Sequence, residues 1–257
     1  MVERVKLLSL ARDLLRRKAR ERDALFVAEG LRTVEELLRS PLTVRGVLSN
    51  THLQTTERGK QLLEQCAARS IQVATVSDRD FATAAGTDTP QGILAIASVP
   101  TRTLADLPDS AARRILILDS VQDPGNVGTM LRTAAALGAD ATVALPGTAD
   151  IWNAKVVRAA MGALFHHPVL TDTWEGVDTF RARCGMKLWG ADAQGVPVTR
   201  DDRPARLGLV VGNEGGGLSD AARQRVDALV ALPLTGGIES LNVAVAAGIL
   251  LYELRPT

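Results

Sequence analysis

The chain has 257 residues, 46% of them hydrophobic and only 3% aromatic, and a formal net charge of +1 at pH 7. That length and apolar content can bury a sizeable core, in one large domain or in one medium and one small, so a soluble globular protein is expected. Cys66 and Cys184 lie far apart without CxxC spacing, which argues against a disulfide framework or a zinc site and makes the cytoplasm the expected compartment. The N-terminus lacks the apolar core and small-residue cleavage site of a secretory signal. The longest apolar run, around Val243 to Tyr252, is too short to cross a bilayer, so no membrane role is expected.

Residues 4–22, RVKLLSLARDLLRRKARER, set eight basic residues against two acidic ones, with leucines at helical spacing on the other face. Such a face is either a solvated helix surface or a phosphate-contacting one. VRGVLSN, IQVATVSD and GILAIASVP then read as short strands separated by the helical stretches GLRTVEELLRS and RGKQLLEQCAARS. Residues 1–99 thus form a small αβ module. The proline-bearing, polar stretch 100–113 reads as a linker, after which the pattern restarts with the pure strand RILILD. From 114 to 257 apolar runs (ILILD, ATVALP, KLWGAD, LGLVVGNEG, ALVALPL) alternate with helical segments. That is the pattern of an α/β domain with a mostly parallel sheet, whose ligands bind beyond the carboxyl ends of the strands.

Three segments carry candidate chemistry. In DSVQDPGNVGTMLRTAAALGAD a turn at Asp123, Pro124 and Gly125 precedes a helix with Asn126 as its expected N-cap, a buried stripe at Val127, Met130, Leu131, Ala134 and Leu137, and a stop at Gly138. Arg132 lies off the stripe and leans over Gly128 towards the strand end. In DIWNAKVVRAAMGALFHHPV, Ala159, Ala160, Gly162 and Ala163 allow a close backbone approach, and Lys155 and Arg158 are expected to be free for an anion. His166 and His167 are adjacent, so their side chains diverge, and without a third ligand no metal site is expected. The third segment joins LVVGNEGGGLSD to LVALPLTGGIESLNVAVAAGILLYEL. Its first loop is glycine-rich but carries Glu214 where a phosphate site would place a lysine. The second loop runs through Gly236 and Gly237, and Ser240 or Asn242 is expected to cap a helix apolar on nearly every face, hence buried, at a subunit interface if anywhere. Two such loops after two strands can form one pocket in which backbone groups read a heterocycle and Leu232 and Leu241 contact its faces, which suits adenine without a phosphate. No GxGxxG follows the ILILD strand and no GxSxG occurs, so dinucleotide binding and serine hydrolysis are disfavoured.

DPGNVGTMLRTAAALG, NAKVVRAAMGALF and VVGNEGGGLS continuing into LPLTGGIESLNVAVAAGILLYE closely resemble the three ordered motifs of the SpoU (TrmH-like) RNA 2′-O-ribose methyltransferases of the SPOUT superfamily. The first hundred residues, with FVAEG and TPQGILAIA, resemble that family's L30e-like substrate-binding domain. The resemblance implies an α/β fold with a C-terminal trefoil knot, an exception to the usual avoidance of knots. It also implies a homodimer, RNA as substrate and S-adenosylmethionine (S-adenosyl-L-methionine) as methyl donor. Carried over, Gly212, Leu232 and Leu241 lie at cofactor contacts, with Gly190 as a further lining residue. Asn126, Arg132, Glu214, Ser240 and Asn242 form the reaction and substrate site. Ala160 and Ala244 stand where relatives often carry serine. A guanidinium is poorly suited to accept a proton, so Arg132 is expected to stabilise a developing alkoxide and anchor the adjacent phosphate. Few aromatics argue against recognition by base stacking. Ribosomal RNA is the expected substrate, with transfer RNA as the runner-up; a non-catalytic RNA-binding or ribosome-assembly protein would need neither Arg132 nor the pocket.

Overall fold

The amphipathic pattern of residues 4–22 is continuous, yet the chain turns inside it. In the computed structural model, which describes residues 2–108, 114–199, 201, 203–235 and 240–255, α1 (Val2–Asp13) stops and α2 (Arg17–Asp23) starts afresh. The carbonyls of Leu14 and Leu15, which a continuous helix would pair with its own N–H groups, accept from the Arg20 guanidinium at 2.7 and 2.9 Å. The same guanidinium, buried, donates to Asp150 at 2.9 Å through Nε and 2.5 Å through Nη2. One of the eight cations of the basic stretch is therefore an interior cross-link rather than a surface charge.

The contacts divide the chain into two compact units, and the first contains residues 1–100 together with 150–166. After α2 come β1 (Leu25–Glu29), α3 (Leu31–Arg39), β2 (Val44–Asn50), α4 (Glu57–Ala68), β3 (Val73–Val76), α5 (Asp78–Ala82) and β4 (Ile93–Ser98). The strands lie in the order β1-β4-β2-β3, with β4 antiparallel to β1 and β2, and β3 parallel to β2. Leu7, Ala11 and Leu14 pack with Leu48, Ala74, Val76, Leu94 and Ile96 of the sheet and with Phe81. In β1 the last four of five residues are buried, so alternation does not mark it, and the sequence pattern passes over it.

Residues 150–166, which follow the second strand of the other unit in the chain, complete the first. Their short helix, numbered α7 (Ala154–Ala159) below, is capped by Asn153, whose side chain accepts from Lys155 N. The Phe26 ring lies 4.5 Å from Trp152 and 5.9 Å from Phe165, centroid to centroid. Gly162 has φ +89°, and a Cβ there would stand 2.7 Å from Glu36 Cβ, which is the close approach its small neighbours suggested. Arg158 is not free for an anion: it pairs with Glu29 at 3.5 Å. That carboxylate, 3% exposed, also accepts from Gly86 N at 2.8 Å and from Thr87 Oγ1. A buried carboxylate at a strand end requires such partners. Lys155 is exposed and has no ion pair among the described residues.

The second unit, residues 101–149 and 167–257, contains β5 (Arg114–Leu118), α6 (Pro124–Ala136) and β6 (Ala141–Ala144). After the excursion through α7 come β7 (Val169–Thr171), α8 (Trp174–Cys184), β8 (Lys187–Pro197), β9 (Leu207–Val211), α9 (Asp220–Arg223), β10 (Ala228–Ala231) and α10 (Val243–Glu253). All six strands are parallel, in the order β10-β8-β9-β5-β6-β7. Ile115 and Ile117 of β5 join Val143, Val210, Val177 and Phe180 in one core. The alternate residues Leu116 and Leu118 are equally buried, as expected of a strand covered on both faces. His166 and His167 separate as their adjacency implied: His166 is exposed, while His167 is buried with Nε2 2.8 Å from Thr142 Oγ1.

Two outcomes follow from these interiors. Arg20→Ala leaves Asp150 Oδ2 and two helix-end carbonyls without partners, with only Trp152 N still donating to the Asp150 carboxylate, and should destabilise the protein by about 3 kcal/mol or more in urea titrations. Burial, partly opposed by Asp140, pushes the His167 pKa down from its usual 6.5 to about 4. Between those values the unfolded chain binds more protons than the folded one. Stability is therefore complete above pH 6.5 and falls as the pH drops to 4, by about 3 kcal/mol from this residue. Urea midpoints across that range should show the loss, and His167→Gln should flatten it.

Candidate active site

The two central strands, β5 and β9, end side by side, with Leu118 opposite Val211, and the loops that follow them are tied together. Asp119, 2% exposed, accepts from Ser219 N at 2.8 Å and Ser219 Oγ at 3.1 Å. Asn213 Nδ2 donates to Ser120 O at 3.0 Å. Asn213 also closes its own loop, exchanging backbone bonds with Gly217 at 2.8 and 2.9 Å. Its Oδ1 accepts from Gly215 N and Gly216 N, both at 2.9 Å. The three glycine amides of this bend are thus engaged within it, which corrects the expectation that they lie open to a ligand. A tight bend with no partner strand must satisfy its own N–H groups, and one asparagine does so. Gly212 is required for another reason: a Cβ there would stand 2.2 Å from Gly217 O.

Glu214 points out of the bend towards the β5 loop. Its carboxylate accepts from Gln122 N at 3.1 Å, Asp123 N at 2.9 Å and Asn126 Nδ2 at 3.1 Å. Burial alone would raise its pKa. The hydrogen bonds from Asn126, Asp123, its own backbone and Gln122 outweigh that and hold it below the usual carboxylate value. An ionised carboxylate only accepts, so Asn126 must present its amide nitrogen and turn Oδ1 the other way. That oxygen accepts from Asn242 Nδ2 at 3.1 Å. The remaining oxygen, Asn242 Oδ1, then caps α10 by accepting from Ala244 N at 2.9 Å and Val245 N at 3.3 Å. One charge thereby orients two side-chain amides on two other segments. Asn126 is not the cap of α6. Asp123 is, accepting from Asn126 N at 2.8 Å with Pro124 in the first helical position, and this leaves the Asn126 side chain available to the network.

Beside the network is a cavity of about 420 Å³, lined among others by Gly212, Glu214, Leu232, Ser240 and Leu241. Val243, Ala246 and Leu250 of α10 add apolar wall, and Asp192 and Arg223, paired at 2.5 Å, add a polar corner. That ion pair joins β8 to α9, and nothing in the local sequence signals it. Gly190 does not line the cavity: it is buried in β8, where a Cβ would meet Leu218 at 2.6 Å, so it is a packing glycine. Arg132 also lies outside the lining. It is exposed on α6, with no hydrogen bond or ion pair among the described residues, while Gly128 beneath it is buried. Gly236 and Gly237 fall outside the described residues. The stripe Val127, Met130, Leu131 and Ala134 is buried as expected, and Leu137 is half-buried. Helix α10 is not buried all round, since Val245, Ile249 and Tyr252 are 51%, 40% and 48% exposed.

Residues 113–252 match the SpoU rRNA methylase family, and residues 3–95 match the MRM3-like substrate-binding domain. The chain is 41% identical over 241 residues to the 23S rRNA (guanosine(2553)-2′-O)-methyltransferase RlmP of Bacillus subtilis, an alignment covering 93% of this chain and 92% of that one. It is 30% identical to a 23S rRNA (uridine(2479)-2′-O)-methyltransferase of Streptomyces viridochromogenes, over 92% of this chain and 84% of the relative. Among solved structures, the SpoU methyltransferase AviRb from S. viridochromogenes in complex with the cofactor AdoMet superposes with a TM-score of 0.84 at 28% identity, covering 96% of both chains. The AdoMet-bound rRNA methyltransferase from Sinorhizobium meliloti gives 0.83 at 28% identity over 96% of this chain and 93% of that one. With its parallel sheet, its cavity beyond the β9 end and its family match over more than half its length, the chain belongs to the SpoU rRNA methylase family.

Proposed function

We propose that the protein transfers a methyl group from S-adenosylmethionine to a ribose 2′-hydroxyl of 23S ribosomal RNA, with residues 114–257 as the methyltransferase part and 1–99 as the part that binds the RNA. The observation that carries this reading is the charge-ordered set Glu214, Asn126 and Asn242 standing beside a cavity of about 420 Å³. That volume lies within the range of small-molecule sites, and the mixture of leucine faces with few polar groups suits a purine. Gly212, Leu232 and Leu241 would hold the cofactor, which when bound supplies an electrophilic methyl group on a sulfonium. The C-terminal knot belongs to the same reading. Its support is the strand order with β10 beyond β8, and α10 returning to wall the cavity at the β9 end. No helix among the described residues is long and apolar enough to cross a membrane, and we place the reaction in the cytoplasm, where ribosomes form.

The residues divide the work by their protonation chemistry. All the acceptor positions that Glu214 uses are filled by N–H donors and its pKa is held down, so it serves as a positioning residue rather than as a base. Asn126 and Asn242 are fixed by it, and Ser240 lines the cavity beside them. Arg132 is exposed and has no acidic partner among the described residues. A guanidinium cannot take up a proton, so its part is to stabilise the developing 2′-alkoxide and to hold the neighbouring phosphate.

A homodimer is part of the proposal. Val245, Ile249 and Tyr252 follow one another at helical spacing along α10, each more than a third exposed, and an apolar stripe of this kind is what a second copy of the chain would cover.

Incubated with labelled S-adenosylmethionine and 23S ribosomal RNA, the wild-type protein should produce a 2′-O-methylated nucleotide. Arg132→Ala should lower the rate by at least about a hundredfold with cofactor affinity unchanged by calorimetry; full activity in that variant would remove Arg132 from the mechanism. Ile249→Asp should convert a sedimenting dimer into a monomer at micromolar concentration, and a monomeric wild type would end the dimer reading.

A further inference from the structure

The corner between α1 and α2 carries a concavity of about 370 Å³ lined by Arg16, Arg17, Lys18, Ala19 and Arg22. Four of these five side chains are cations and none is an acid, a composition unlike that of the cavity at the β9 end. We infer that this groove is a docking surface for the phosphate backbone of RNA. The inference rests on the proposed RNA substrate and adds to it the place on the first unit where the backbone is held.

The basic stretch as a whole does not behave as one face. Arg20 is consumed inside the fold by Asp150 and the carbonyls of Leu14 and Leu15. Arg12 is turned to α5, where it donates to Thr83 Oγ1 at 2.6 Å and lies 3.5 Å from Asp80. What remains is concentrated at the corner. Arg16, Arg17 and Arg22 are 71%, 64% and 65% exposed; they pair with Asp13, Glu21 and Asp23, all neighbours within four residues on the same surface. Pairs this exposed hold each other only weakly. They orient the guanidinium groups without spending them, and a phosphate offering bidentate geometry can replace the carboxylate. Lys18 is exposed with no ion pair among the described residues.

The helix junction beneath these cations is rigid. The helix break that creates the concavity is fixed by Arg20, whose side chain is 6% exposed and whose partner Asp150 is 17% exposed. The interior cross-link and the exterior cations lie on the same seven residues, 16–22, with Arg20 pointing in and Arg16, Arg17, Lys18 and Arg22 lining the outside. A helix junction held in this way sets the spacing of the cations along the groove, which favours register-setting contacts to a backbone over diffuse attraction.

The test uses the full-length protein and transcribed 23S ribosomal RNA. The variant Arg17→Ala/Lys18→Ala/Arg22→Ala should weaken RNA binding by tenfold or more and reduce the slope of log affinity against log salt by about 2, with S-adenosylmethionine affinity and the urea midpoint unchanged. In the wild-type protein, RNA should protect Lys18 from acetylation while Lys60 and Lys187 continue to react. If the wild type binds the RNA and the variant binds it equally with the same salt slope, or if Lys18 reacts fully in the complex, the groove is not the docking surface. If the wild type shows no affinity for the RNA, the substrate reading itself fails and takes this inference with it.

Discussion

The arrangement beyond the ends of β5 and β9 depends on one carboxylate remaining ionised. Glu214 accepts from two backbone N–H groups of the β5 loop and from Asn126, and through Asn126 it sets the orientation of Asn242 and hence the start of α10. Every amide in that series has a single consistent orientation only because its first member cannot donate. A protonated Glu214 would set a hydroxyl against an N–H donor, and the orientations downstream would lose their reference. The hydrogen bonds that lower its pKa are therefore the same ones that make the site a single geometry.

Support for Glu214 comes from below, by a second asparagine and a buried acid. Asn213 closes the glycine bend and ties it to Ser120, while Asp119 grips Ser219 at the far end of the same loop. The glycines contribute room rather than donors. At Gly212 the chain crosses itself so closely that a methyl group would overlap Gly217, and the consequence is that Glu214 leaves the bend in a fixed direction.

The parallel sheet was legible in the sequence because a strand covered on both faces must be apolar throughout, as RILIL and LGLVV are. The positions of Asn126, Glu214 and Asn242 were legible through motif resemblance, and their mutual hydrogen bonds were not, since residues 88 and 116 apart in the chain carry no local signal of contact. Long-range pairing explains the other departures. Helical periodicity runs through residues 14–16, and the break there is enforced by Arg20 reaching Asp150, 130 residues away. Arg158 read as available because Glu29, its buried partner, lies 129 residues earlier. The stripe on α10 is exposed in the single chain, because composition reports how apolar a helix is and leaves open what covers it.

The arginines of the structure fall into two kinds of placement. Arg20 and Arg158 each belong to an ion pair with one buried member, Arg20 itself and Glu29, and removing the other partner would leave that buried charge without its counter-ion. Arg132 is placed oppositely: it is exposed, on the same helix as Asn126, with no hydrogen bond or ion pair among the described residues. A guanidinium held by a buried carboxylate cannot exchange that partner for an approaching phosphate without stranding the acid, whereas an unpaired one meets the anion with its full charge. Glu214, the acid anchored at the start of that helix, is held by three N–H groups of the β5 loop and α6, and no ion pair joins it to Arg132 among the described residues.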